Sequence, residues 1–107
     1  MLSASTSHLV LIPSFNTGPK LLDTVKQARR HWNPVWVVID GSNDGSEQAL
    51  LTLQRTDPGL RVFILPNNKG KGAAVLYGLR QATSHGFTHI LTMDADNQHP
   101  ADSLQLF

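Results

Sequence analysis

The 107-residue sequence carries nine Lys plus Arg against eight Asp plus Glu, a formal net charge of +1, and 30 Leu, Ile, Val and Phe residues. That is apolar side chain enough for one folded core, burying roughly 65% of the unfolded surface, and too little chain for a second domain. The near-neutral charge excludes wholesale nucleic-acid binding, and the lack of cysteine excludes disulfides, zinc–thiolate sites and thiol catalysis.

Taken in chain order, His8 to Pro13 is a short apolar run that reads as a buried strand, followed by the polar loop Ser14 to Gly18. Pro19 to Trp32 reads as a helix, with proline at its first position and an apolar stripe of Leu21, Leu22, Val25, Ala28 and Trp32. Arg29 and Arg30 are expected as a solvated helix end suited to the negative pole of the helix dipole. Asn33-Pro34 closes this unit, and the apolar run Val35 to Asp40 is the second strand. The loop Asp40 to Ser46 leads into a helix over Ser46 to Arg55, with Ala49, Leu50 and Leu53 as its stripe. The turn Asp57-Pro58-Gly59 precedes a third strand, Arg61 to Leu65. Pro66 to Gly72 is a glycine- and lysine-rich loop, and Lys71 to Ser84 a third helix whose stripe includes Ala74, Leu76, Leu79 and Ala82. His89 to Met93 is a fourth strand, followed by Asp94 to Pro100 and the start of a further helix, so the sequence is expected to be truncated inside an element.

Strand starts recur every 26 to 28 residues, the length of a βα unit. The fold class is therefore α/β: a mostly parallel, Rossmann-like sheet with helices on both faces. No run approaches the roughly 20 apolar residues of a membrane helix, and Met1 to His8 lacks the basic start of a signal peptide.

In such sheets ligands bind beyond the carboxyl ends of the strands, where all four loops are polar. Asp94-Ala95-Asp96 places two carboxylates, one residue apart, directly after a strand, a pattern that can converge on Mg²⁺ or Mn²⁺ and leave positions for phosphate oxygens. As a solvated turn capping the next helix, the same triplet would have no such role. Gly70 and Gly72 would let backbone approach an anion while Lys69 and Lys71 supply charge, although neither the Walker nor the dinucleotide pattern is present. Asp40 is equally suited to accept hydrogen bonds from a base or ribose and to serve an Asp-Gly turn, with Asp44 or Ser46 capping the helix. An EF-hand is excluded because Leu51 occupies the position of the bidentate Glu. His85 and His89 are expected not to form a zinc pair, His8 and His31 to be surface or strand-edge residues, and Trp32 and Trp36 to pack in the core.

Together and in order, Ile12-Pro13-Ser14-Phe15-Asn16, Val38 to Ser46, Asn68 to Ala74 and Asp94-Ala95-Asp96-Asn97-Gln98-His99-Pro100 resemble family 2 glycosyltransferases with the GT-A fold. The last motif is most similar to the branch that transfers sugars to polyprenol phosphates. The resemblance implies that residues 1–107 are the nucleotide-sugar-binding N-terminal part of a single glycosyltransferase domain. It implies an inverting transfer from a nucleotide-diphosphate sugar to an acceptor hydroxyl or phosphate. Pro13 and Phe15 would border the nucleobase, Asp40 would contact the nucleoside, and Lys71 would assist as a point charge. Asp94 would contact ribose or the metal shell, and Asp96, with Gln98, would hold the Mg²⁺ or Mn²⁺.

Two departures from the family pattern are Ile39, where a first acidic residue usually precedes Asp-Gly-Ser, and Thr17, where a Glu usually follows Asn. The family's general base lies later in the chain, so the 107 residues are expected to bind donor and metal without turning over. The intact protein is expected to be cytoplasmic, either free or at the cytoplasmic face of a membrane reached through a missing C-terminal part. A sugar-nucleotide nucleotidyltransferase and a non-catalytic nucleotide-binding fragment are the alternatives.

Overall fold

Four short strands form one parallel sheet in the order β3-β2-β1-β4, its two inner strands buried on both faces and its edge strands part-exposed. They are β1 (His8–Ser14), β2 (Val35–Asp40), β3 (Leu60–Leu65) and β4 (His89–Thr92), separated by α1 (Lys20–His31), α2 (Ser46–Thr56) and α3 (Lys71–Ser84). The structure is a computed structural model and describes residues 4–15, 18–41, 45–66 and 70–93. Every residue of β2 is buried, as expected of a strand covered on both faces.

Side chains alternate across the sheet and so divide the core in two. Val10, Ile12, Val35, Val37 and Ile39 meet Leu21, Val25 and Ala28 of α1 and Leu50 of α2. On the other face Leu9, Leu11, Trp36 and Val38 meet Ala74 and Ala82 of α3. The helices thus cover both faces, and among the described residues none is long and apolar enough to cross a membrane.

Two stripe residues lie elsewhere than their spacing implied. Ala49 is exposed at the margin of α2's inward face, whose core contacts are the i, i+3 pair of buried Leu50 and half-buried Leu53; Gln54 is half-buried. From there Gln54 Oε1 accepts the Val62 N–H at 2.6 Å, satisfying a donor on the edge strand β3. Leu76 is 48% exposed because the inward line of α3 is Ala74, Gly78 and Ala82, and Leu76 is two residues, about 200°, from Gly78.

Arg29 is not a solvated helix end. Its Nε and Nη2 donate to Asp57 Oδ2 and Oδ1, both at 2.8 Å, and its Nη1 donates to the Trp32 carbonyl at 2.6 Å. Asp57 Oδ1 also accepts the Gly59 N–H at 3.1 Å. This clasp ties the end of α1 to the turn before β3, at the amino edge of the sheet, where Gly59 packs so closely on Arg29 and Asn33 that a side chain would collide.

The Arg29 hydrogen bonds hold the Asp57 carboxyl below its ordinary 3.8; burial opposes this, and the Gly59 amide reinforces it. A carboxyl depressed in the folded state contributes stability above its unfolded value, and that stability is lost as pH falls through the folded one. Acid titration followed by circular dichroism should therefore show stability falling as pH drops below 3.8, with a shallower fall in Asp57→Asn. A partly buried bidentate pair of this kind contributes about 1–2 kcal/mol at neutral pH. Equal acid slopes for wild type and variant would remove the clasp from the account.

The histidines and tryptophans follow from the strand register. His8 and His89 face one another across β1 and β4, and their rings stack with centroids 4.3 Å apart. His85 instead sets its ring T-shaped to Trp36 at 5.2 Å, with Nδ1 2.8 Å from the Gln81 carbonyl and Nε2 3.1 Å from Arg61 Nη1. Trp36 is a core residue at 5% exposure, while Trp32 is half-buried with its indole N–H donating to the His8 carbonyl at 3.2 Å.

Candidate functional site

The strand order creates the site's location. From β1 the chain moves outward to β2 and β3, then α3 carries it back across the sheet so that β4 lands on the other side of β1. The connection from β1 to β2 and the connection from β3 to β4 thus run in opposite directions along the sheet, and the order reverses between β1 and β4, where such sheets open a crevice beyond the carboxyl ends. All four polar loops leave from this same edge, since all strand pairs are parallel.

Pro13 is buried in β1 opposite Val38, and Phe15, the first residue past that strand, is 45% exposed. Burying most apolar residues while leaving an aromatic ring half in water at the mouth of a crevice gives the edge a flat apolar surface. Met93, the last described residue, follows β4; it is 2% exposed and its N–H donates to the Leu11 carbonyl at 2.9 Å. Asp94, Asp96 and Gln98 lie outside the described residues.

Asp40 closes β2 and is fully buried. Its Oδ2 accepts the Gly70 N–H at 2.6 Å, across 30 residues of sequence. The Gly70 carbonyl in turn accepts the Ala74 N–H at 3.2 Å, which opens α3. Gly70 has φ +97°, a conformation that an L side chain adopts only with strain, and this explains glycine here. Beside it Gly41 N–H donates to the Leu65 carbonyl at 2.9 Å, so the ends of β2 and β3 are joined where their loops begin. Lys71 is the first residue of α3, immediately after Gly70. The residue at the N-cap of α2 is Gly45, with φ +81°.

Asp40 and the glycine–lysine turn are thus brought together, with Pro13 and Phe15 on the adjacent strand. Sequence reading missed the Asp40–Gly70 hydrogen bond, for which no local pattern exists. Among the described residues no group of three or more His, Cys, Asp or Glu could hold a metal ion.

The family model for glycosyl transferase family 2 matches residues 9–107, almost the whole chain. The chain belongs to glycosyl transferase family 2. It is 26% identical over 112 residues to a dolichol-phosphate mannosyltransferase of Mycosarcoma maydis, covering 95% of this chain and 37% of that protein. It is 30% identical over 103 residues to an undecaprenyl-phosphate mannosyltransferase of Micrococcus luteus, covering 90% of this chain and 40% of that one. The chain therefore spans about two fifths of the length of these curated relatives. Its fold is also that of a mannosyltransferase from Pyrobaculum calidifontis solved with GDP-Man and Mn²⁺, with TM-score 0.73, 22% identity, and coverage of 94% of this chain and 32% of that one. The expected GT-A architecture and the resemblance to polyprenol-phosphate sugar transferases are both borne out by these matches.

Proposed function

We propose that residues 1–107 form the donor-binding part of an inverting family 2 glycosyltransferase that moves a sugar from a nucleotide-diphosphate donor to a polyprenol phosphate. The observation that carries this reading is that the family match over residues 9–107 takes in all four motif loops, and the strand order gathers those loops at one sheet edge. The family match also favours sugar transfer over nucleotidyl transfer. Support for the acceptor comes from relatives named for dolichol and undecaprenyl phosphate, and support for a diphosphate donor with a divalent ion comes from the structural neighbour holding GDP-Man and Mn²⁺.

In this reading Pro13 and Phe15 border the base, Asp40 belongs to the donor side, and Lys71 brings positive charge to the diphosphate. Asp94, Asp96 and Gln98 offer an all-oxygen donor set, which fits the hard cations Mg²⁺ and Mn²⁺. A cation held there would supply positive charge against that building on the leaving diphosphate. The general base is supplied by residues outside these 107, so they bind the donor without transferring its sugar. The whole enzyme works at the cytoplasmic face of a membrane, where a lipid phosphate acceptor is presented.

Calorimetry of UDP and GDP, each with and without Mn²⁺, tests the reading. One of the two should bind saturably and much more tightly with the metal than without it, and the 107-residue chain should release no free nucleotide from the matching sugar donor. Failure of both diphosphates to bind in the presence of Mn²⁺ would overturn the assignment.

A further inference from the structure

We infer that Asp40 is a positioning residue: its carboxylate holds Gly70, and through it the start of α3 and Lys71, rather than touching the nucleoside itself. Three observations converge on this. The Asp40 side chain is fully buried at the end of the central strand β2. Its Oδ2 takes the Gly70 N–H at 2.6 Å, a short, charge-assisted contact. The Gly70 carbonyl is already committed to Ala74, so the same residue is held from both sides, by the sheet through its N–H and by the helix through its carbonyl.

The consequence is chemical as well as mechanical. A carboxylate at the amino end of α3 satisfies one of the amides that a helix start leaves without an intrahelical partner, and it sits at the positive end of the helix dipole. The Gly70 amide is therefore spent on the protein and not directed at a phosphate. What this turn then offers the diphosphate, beside the cation of the donor-binding reading, is the lysine that follows Gly70, at a backbone position set by β2. An exposed glycine with a positive φ has little of its own to fix its conformation. The carboxylate supplies that restraint from the most buried strand of the sheet.

The functional consequence rests on the donor-binding reading above; the contact itself does not, and the experiment separates them. In the full-length protein, NMR should show the Gly70 amide protected from exchange and coupled through a hydrogen bond to the Asp40 carboxyl. An unprotected amide would overturn the inference without any variant. Binding is then measured for Mn²⁺ with pyrophosphate, UDP, GDP, UMP and GMP. Asp40→Ala should weaken pyrophosphate and the bound diphosphate by the same factor, about tenfold for one lost charge-assisted hydrogen bond. Asp40→Asn, which keeps an oxygen acceptor for Gly70, should stay within about threefold of wild type. A loss in Asp40→Ala that spares pyrophosphate and falls on the monophosphates would assign Asp40 to the nucleoside and overturn the positioning role. If Asp40→Ala does not fold, the Gly70 exchange rate in wild type and Asp40→Asn still decides the matter. Wild-type protein that binds no diphosphate while its Gly70 amide is protected would reject the glycosyltransferase reading and leave the contact standing.

Discussion

Gly78→Val is expected to destabilise the protein by about 3 kcal/mol, the upper part of the range for overpacking a core. Gly78 lies mid-way along α3, where helix propensity alone would favour almost any replacement: Ala at an exposed position gains about 1 kcal/mol over Gly. Here the surroundings reverse the sign. A Cβ built on Gly78 would lie 2.6 Å from Leu11 Cδ1 and 2.7 Å from Cδ2. Leu11 is fully buried on β1, between β2 and β4, with Leu9, Trp36 and Val38 around it, so its methyl groups have nowhere to retreat. Helix and sheet approach this closely because the inward line of α3 is small, with Ala74, Gly78 and Ala82 at successive i+4 positions. For a chain of this length 3 kcal/mol lowers the melting temperature by roughly 15 °C. Gly78→Ala tests the sign, since propensity and packing disagree about it, and packing is expected to win by about 1 kcal/mol. Leu11→Ala should lessen the penalty of Gly78→Ala in a double-mutant cycle, because the removed methyls are those that clash. A melting temperature raised by Gly78→Ala, or strict additivity in the cycle, would show that the two residues do not press on one another.

What could be read from the residues alone follows a physical division between local and distant signals. The seven elements were legible to within one or two residues, because buried parallel strands are short β-branched runs and because Gly18-Pro19, Asn33-Pro34 and Asp57-Pro58-Gly59 punctuate them. Apolar stripes are legible only approximately: the apolar pattern puts Leu76 on the inward stripe, whereas the direction of α3 is set by Gly78 fitting over Leu11, a choice that depends on a residue 67 positions away. Arg29 was misread for the same reason, since its partner Asp57 is 28 residues on and nothing near Arg29 announces it. At the candidate site the edge and its loops were legible, because each motif follows a strand directly. The hydrogen bond from Gly70 to Asp40 was not, because β2 and α3 become neighbours only through the folded sheet.

Asp96→Ala is expected to have the largest effect on binding, a loss of at least about 100-fold in the Mn²⁺-dependent affinity for the nucleoside diphosphate. Changing groups that merely orient a metal ligand commonly costs 10–100-fold, and removing a ligand should cost no less. The surrounding protein offers little to compensate. The net charge is only +1, the Gly70 amide is taken by Asp40, and Arg29 is bound to Asp57 at the opposite edge of the sheet. Of the basic residues, Lys69 and Lys71 are those the motif loops carry, and two lysines cannot neutralise a diphosphate in the bidentate manner that would replace a bridging ion. The loss should therefore be specific: affinity measured without metal should be unchanged, and stability should move by less than about 0.5 kcal/mol if the side chain is solvated, as for surface positions generally. Asp94→Ala should also weaken binding, and if Asp94 contacts ribose its loss should persist for the metal-free nucleotide, which distinguishes the two carboxylates. Calorimetry of wild type, Asp94→Ala and Asp96→Ala with and without Mn²⁺ reads all of these at once. Metal-dependent affinity that survives Asp96→Ala would move the ion elsewhere and leave the second carboxylate to cap the segment beginning at Pro100.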